Sequence, residues 1–231
     1  MSRLFPDRLR VELSPDEISV SGRAYPCDKS FGAEPWQGAV ASLRALPWTT
    51  PCRVEVILSN HFVRYAVIPW SAALSGDDEE RAYVRHQFAK IHGDKAKGWA
   101  VRASPAPAGC PRLASAIDPA LLEELQRAFP KGGRARLTSV QPLLMNRFNA
   151  LAERVPASGA WLVIAEGERA CVALHSGRAW RLVQNARGAW LTLLERERFR
   201  APAGEVPSLV LLGGAPMPAD KGTWQFREFP A

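Results

Sequence analysis

The amino-acid sequence predicts an α/β protein in which short strands and helices alternate. Two patterns carry that expectation. Stretches of period-two polarity flank turn residues, and stretches with apolar side chains at helical spacing open behind an N-capping residue or a proline. Composition bounds it: 231 residues, 47% hydrophobic and 23% charged, allow one large domain or two small ones with a buried core. Eight tryptophans and nine phenylalanines supply much of that core.

Segments 10–13 and 17–20 alternate in polarity across Ser14, Pro15 and Asp16, which predicts an opening β-hairpin. Residues 24–31 read as a loop. Behind Pro35, Trp36, Val40 and Leu43 share a helical face, and Pro47 stops the helix. Segments 53–58 and 63–70 flank Ser59, Asn60, His61 and Phe62, which predicts a second hairpin. Ser75, Gly76, Asp77 and Asp78 form a capping-box pattern, after which Val84, Phe88 and Ile91 fall at i, i+4 and i+7 until Gly93 closes the helix.

Strands are predicted at 99–103 and 112–117, around a Pro/Ala/Gly loop. Asp118 followed by Pro119 is an N-cap with proline at the first helical position, and Leu121, Leu122, Leu125 and Phe129 make the apolar face behind it. A strand at 136–140 and a helix opening at Pro142, with Leu144, Phe148 and Leu151 on one face, complete the first part. Pro156, Ala157, Ser158 and Gly159 mark a boundary. Beyond it, segments 161–164, 170–175 and 179–184 read as an antiparallel meander, followed by a helix at 189–198 and strands at 209–212 and 224–229. The second part thus repeats the order of the first in shortened form.

Several chemistries fall away. No apolar run approaches the ~20 residues that span a bilayer. The first eight residues lack the apolar region of a secretory signal, so the chain is expected to stay in the cytoplasm. Cys27, Cys52, Cys110 and Cys171 form no Cys-x-x-Cys pair and read as reduced, hydrophobic thiols rather than zinc ligands or a disulfide framework. The net charge of +7 is dispersed; its densest stretches, 131–136 and 195–200, read as solvated surface, and nucleic-acid binding is not expected. Phosphate loops, dinucleotide fingerprints, nucleophile elbows and zinc helices are absent. His86 and His92 lie on different helix faces and read as surface residues, while His61 and His175 read as solvated or hydrogen-bonded. Asp77, Asp78, Glu79 and Glu80 are read as stabilising a helix start rather than binding a cation. No catalytic or metal-binding residue is assigned.

The order of elements, the strand–turn–strand of residues 54–69 with its Ile68-Pro69-Trp70 end, and the segment 206–215 with Gly213-Gly214 resemble the duplicated actin-like, ribonuclease-H-type ATPase fold. Among its members the sequence looks like the PilM-like pilus-assembly proteins and the cytoplasmic domain of GspL-like type II secretion proteins. The resemblance implies an N-terminal subdomain at 1–155 and a shortened C-terminal one at 156–231, with a nucleotide cleft near Gly167, Gly213 and Gly214. Active members place an acidic turn between the first two strands of each half to handle Mg and phosphate. Here the turns read Leu13-Ser14-Pro15-Asp16-Glu17 and Ile164-Ala165-Glu166-Gly167-Glu168, with Ala165 where an acid is expected. The resemblance therefore implies a vestigial cleft without a cofactor, in a non-catalytic adaptor. Such an adaptor would bind an inner-membrane or ATPase partner of a pilus or secretion machine and reach the membrane only through it. The alternative is a nucleotide-binding actin-like ATPase or sensor.

Overall fold

The computed structural model describes residues 7–28, 32–74, 76–201 and 206–229. The strands, in chain order, are β1 (Asp7–Leu13), β2 (Glu17–Val20), β3 (Arg23–Pro26), β4 (Cys52–Leu58), β5 (Arg64–Ile68), β6 (Ala100–Ala103) and β7 (Arg112–Ile117). They continue with β8 (Ala135–Pro142), β9 (Ala160–Glu166), β10 (Arg169–Ser176), β11 (Ala179–Arg187), β12 (Leu209–Gly213) and β13 (Gln225–Glu228). The helices are α1 (Gln37–Ala45), α2 (Asp77–His92), α3 (Pro119–Ala128), α4 (Leu143–Leu151) and α5 (Trp190–Arg200).

Two five-stranded sheets share one topology. The first has the order β3-β2-β1-β4-β8 and the second β11-β10-β9-β12-β13. In each, three strands form an antiparallel meander and the meander's first strand pairs in parallel with a later one, β1 with β4 and β9 with β12. This is the duplicated α/β plan of the actin-like fold. A third sheet, β5-β7-β6, lies in the chain between β4 and α3. The chain forms two compact units, Met1–Val63 with Ile117–Asn146, and Arg64–Ala116 with Arg147–Ala231.

In the first unit, α1 turns Ala39, Val40 and Leu43 inward, and α3 does the same with Leu121 and Leu125. Arg44 on α1 forms an ion pair with Glu124 on α3. Asp118 has two duties: its side chain accepts from the Ala120 amide at 2.9 Å as the α3 cap and from Trp36 Nε1 at 3.2 Å. In the second unit, Leu193 and Leu194 of α5 pack onto Trp161, Val163, Val172, Leu174, Val210 and Leu212. Trp224 closes that core, edge-on to Trp161 and stacked beneath the Arg198 guanidinium at 4.8 Å.

Several expectations need correction. The strands around Ser59–Phe62 do not form a hairpin: β4 is central in the first sheet, with β1 and β8 on its two sides, whereas β5 pairs antiparallel with β7. Both edges of β4 are already occupied, so no edge remains for its neighbour in sequence. Residues 23–26 are strand β3 rather than loop, held to β2 by register pairs such as Ile18 with Tyr25. Ile91 is 61% exposed, so the core face of α2 is carried by Val84 and Phe88. The segment 195–200 is not wholly solvated: Glu197 is buried and accepts from Arg196 at 2.9 Å and Arg200 at 3.3 Å. Ser75 of the capping-box pattern lies outside the described residues; Gly76 is the N-cap of α2 and makes no side-chain capping bond, while Asp77, Asp78, Glu79 and Glu80 fill the first turn.

Two stability outcomes are expected from urea unfolding. Asp118→Ala removes a cap and the acceptor for a tryptophan N–H, and should cost about 1–2 kcal/mol, with Asp118→Asn losing less. Leu194→Ala, in the fully buried core beneath α5, should cost about 2–5 kcal/mol.

Candidate functional site

The first hairpin turn is closed upon itself. Ser14 N donates to the Glu17 carbonyl at 3.0 Å, Ser14 Oγ donates to the same oxygen at 2.8 Å, and Glu17 N donates to Ser14 Oγ at 3.1 Å. Pro15 has no amide to offer. Two of the three N–H groups between Ser14 and Glu17 are thus spent inside the turn, which leaves no cradle of converging amides for a phosphate. A cavity of about 240 Å³ beside the turn is lined by Asp16, Asp28 and Glu34 among others. Among the described residues no group of three or more His, Cys, Asp or Glu side chains is placed to hold a metal ion.

The second turn joins β9 to β10 by the shortest kind of connection, with Glu166 opposite Arg169 and only Gly167 and Glu168 between them. Gly167 has φ 58°, and a Cβ there would meet nothing within 4 Å. Conformation, not space, asks for glycine there. Gly214 differs: its φ is 77°, and a Cβ there would lie 2.1 Å from the Ala165 carbonyl oxygen, so the backbone after β12 rests directly on the end of β9. Gly213 is overlaid by the Phe229 ring, which a Cβ would meet at 2.6 Å. The structure therefore brings Gly214 to the strand end that carries the Gly167 turn, and places Gly213 under an aromatic ring.

A feature with no counterpart among the expected site residues surrounds this turn. Arg169 and Arg187 stand directly opposite each other on β10 and β11, and β5, which begins with Arg64, runs beside β11. Burial lowers the Arg64 pKa; burial first, then the charges of Arg64 and Arg187, lower that of Arg169, against the raising effect of Glu166. Arg169 donates to Asn185 Oδ1 at 3.2 Å, but its buried Nε has no partner among the described residues. Where an acidic, metal-holding turn is expected from active members of the fold, this turn is flanked by guanidinium groups. The signal in the sequence is the symmetry of Arg169 and Arg187 about the meander's second turn, legible only once the register is known.

Two histidines sit among aromatic rings rather than at the surface or in a hydrogen-bonded site, contrary to expectation. His92 packs on Phe88 and Trp99 with centroid distances of 6.0 and 5.1 Å, and His175 packs on Phe148 and Trp180 at 4.8 and 5.2 Å. Burial lowers both pKa values, helped by Arg64 at His92 and by Arg181 at His175. His86 is exposed, and Cys27, Cys52, Cys110 and Cys171 are all free thiols. Burial pushes the Cys171 thiol far up.

Comparison with known proteins places this geometry in a fold. No protein-family model matches the sequence, and no curated protein matches it. Solved structures do. A Bacteroides thetaiotaomicron protein of actin-like ATPase fold and unknown function aligns with TM-score 0.57 at 14% identity, over 93% of this chain and 83% of that one. The cytoplasmic domain of EpsL, an inner-membrane component of the Vibrio cholerae type II secretion system, aligns with TM-score 0.59 at 12% identity, over 97% and 89%. The PilM–PilN type IV pilus biogenesis complex aligns with TM-score 0.59 at 14% identity, over 84% of this chain and 66% of the matched one. The chain has the actin-like ATPase fold.

The glycines respond differently to substitution. Gly214→Ala should destabilise by about 3 kcal/mol or more, because strain at positive φ adds to a backbone collision, whereas Gly167→Ala should cost about 1 kcal/mol; chemical denaturation separates them. The histidines set a pH dependence. Their native pKa values lie below the ordinary 6.5, so the unfolded state binds protons first: stability is full above about pH 6.5 and falls as pH drops through the native values. Melting temperature measured across that range should decline on acidification, and His175→Phe should flatten the decline.

Proposed function

We propose that the chain is a non-catalytic scaffold of a type IV pilus or type II secretion-like assembly, and that it works by holding a protein partner, an inner-membrane component or a secretion ATPase. The observation that carries this reading is the pairing of fold and turns. The chain shares its fold with the EpsL cytoplasmic domain and with the PilM–PilN complex over most of its length. Yet its first turn consumes its own amides, and its second carries Ala165 and flanking arginines. Phosphoryl transfer in this architecture needs carboxylates for Mg and backbone amides for phosphate, and among the described residues no group of acids is placed to hold a metal ion and the first turn spends two of its three amides internally.

In this reading residues 1–155 and 156–231 are the two actin-like subdomains, each contributing one five-stranded sheet. Gly167, Gly213 and Gly214 are the remnant of a nucleotide cleft that works without a cofactor. Phe229 over Gly213 supports that view, since a protein side chain covers the glycine against which an adenosine is expected in active members. The protein acts in the cytoplasm and meets the membrane through its partner. Among the described residues no helix is long and apolar enough to cross a membrane.

One observation favours a second reading, a nucleotide-binding sensor: the cluster of Arg64, Arg169 and Arg187 would attract polyphosphate. Titration calorimetry with ATP and Mg at millimolar concentration decides between them. The scaffold reading expects no saturable heat, together with capture of the purified cytoplasmic segment of a pilus or secretion inner-membrane protein, or of the secretion ATPase. Saturable Mg-nucleotide binding without such capture overturns it.

A further inference from the structure

The sheet β5-β7-β6 leaves one edge open. β5 has β11 alongside, whereas β6 ends the sheet among the described residues. Ser104 N donates to the Leu113 carbonyl at 2.8 Å, so by strand alternation the backbone groups of Val101 and Ala103 face away from β7, toward the open side. A groove of about 710 Å³ is lined by residues 100–105, which include β6, by Arg112 and by the first half of α2. Ser104 Oγ, on the groove wall, is buried with no hydrogen-bond partner among the described residues.

The charge of the groove selects its occupant. Four arginines and two carboxylates line it. Arg112 is matched by Glu80 at 2.6 Å, and Arg81 by Asp78 at 3.4 Å. Arg85 and Arg102 are exposed and make no ion pair among the described residues; the exposed Asp77 carboxylate is likewise unmatched, so the unpaired charge of the groove is positive by one. A second pocket of about 280 Å³ adjoins the groove, shares Glu80, Val84 and Arg112 with it, and is walled by Ile68, Leu74, Tyr83 and the 43% exposed Trp70. A second copy of this chain, carrying a net charge of +7, is a poor occupant for a wall of unmatched guanidinium groups.

We infer that the open edge of β6 receives, as an added strand, an extended acidic segment of the partner protein, with an apolar side chain of that segment anchored in the pocket beside Trp70. The inference rests on the scaffold reading above and names its docking site. Main-chain pairing with Val101 and Ala103 supplies affinity, Arg85 and Arg102 supply selection for acids, and the aromatic pocket fixes register. The four residues of β6 match a short segment.

The test uses the full chain and a fluorescein-labelled, acetylated peptide that alternates glutamate and valine and ends in leucine. Fluorescence anisotropy at low salt should saturate, a lysine–valine peptide should not bind, and hydrogen exchange at the Val101 and Ala103 amides should slow in the complex. The double variant Arg85→Glu/Arg102→Glu should weaken binding about tenfold or more while its melting temperature stays that of the parent, and Trp70→Ala should weaken it separately. Binding that ignores the charge reversal, or that leaves those amides unprotected, overturns the assignment. If the probe fails to bind while the chain still captures a purified pilus or secretion component, the β6 site falls and the scaffold stands; if capture fails as well, both fall.

Discussion

The parallel pairing of each meander's first strand with a strand that arrives much later in the chain, β1 with β4 and β9 with β12, is the constraint on which this structure depends. A three-stranded meander alone exposes one edge of its first strand and cannot bury two faces. Adding a parallel neighbour makes that strand internal: in the second sheet residues 160–165 of β9 are all buried, whereas β1 keeps its alternation and buries Val11 and Leu13. A parallel neighbour also demands a crossover, which the chain supplies through α1 in the first unit and α5 in the second. The same pairing brings the ends of β9 and β12 together, with Gly213 level with Ile164. The approach of Gly214 to Ala165 is therefore a product of topology before it is a feature of any site.

Strand ends gathered in this way are where α/β sheets present ligand-binding groups, because turns and helix starts converge there. The second turn mixes charges: Glu166 and Glu168 lie in it, and Arg169 and Arg187 flank it. A carboxylate turn lowers the cost of holding Mg; guanidinium groups raise it. Arg169 opposite Arg187 is a like-charge cross-strand pair, a destabilising arrangement that an antiparallel sheet tolerates only with relief nearby, and Glu166 and Asn185 give part of it. Arginine stays charged although burial lowers its pKa, so the strain is repulsion rather than neutralisation. In the first turn, two of the three amides are taken up by hydrogen bonds between Ser14 and Glu17.

Local signals are legible wherever a single residue type answers to a single local requirement. Asp118 before Pro119 announces α3, and the turn residues of the 160–187 meander announce its three strands, all of which the structure contains. Pairing partners are not legible. Period two says that 53–58 is a strand but not which edges it occupies, so the sequence joins β4 and β5 as a hairpin although they belong to different sheets. Helical spacing names Ile91 as core because it sits at i+7 from Val84; the packed aromatic place on that turn belongs instead to His92, against Phe88 and Trp99. Glu197 is hidden by the same limit, since alternating charge signals a solvated helix until tertiary contacts put one of the charges beneath its two arginines. The cluster around the second turn needs the register of β10 on β11 before Arg169 and Arg187 can be seen as neighbours.

The third sheet shows how one charge pattern serves two purposes. An open strand edge is a template for any extended chain, and proteins blunt it with charged side chains so that copies of themselves do not stack. Arg102 on β6 and Arg85 on the facing helix do this for a basic chain: a second copy brings more positive charge to a wall that already has unmatched guanidinium groups. Repulsion of like copies and attraction of an acidic partner are the same field seen by two molecules. β6 needs no further protection against self-association for that reason, and its outward amides can stay unpaired until a segment of opposite charge arrives.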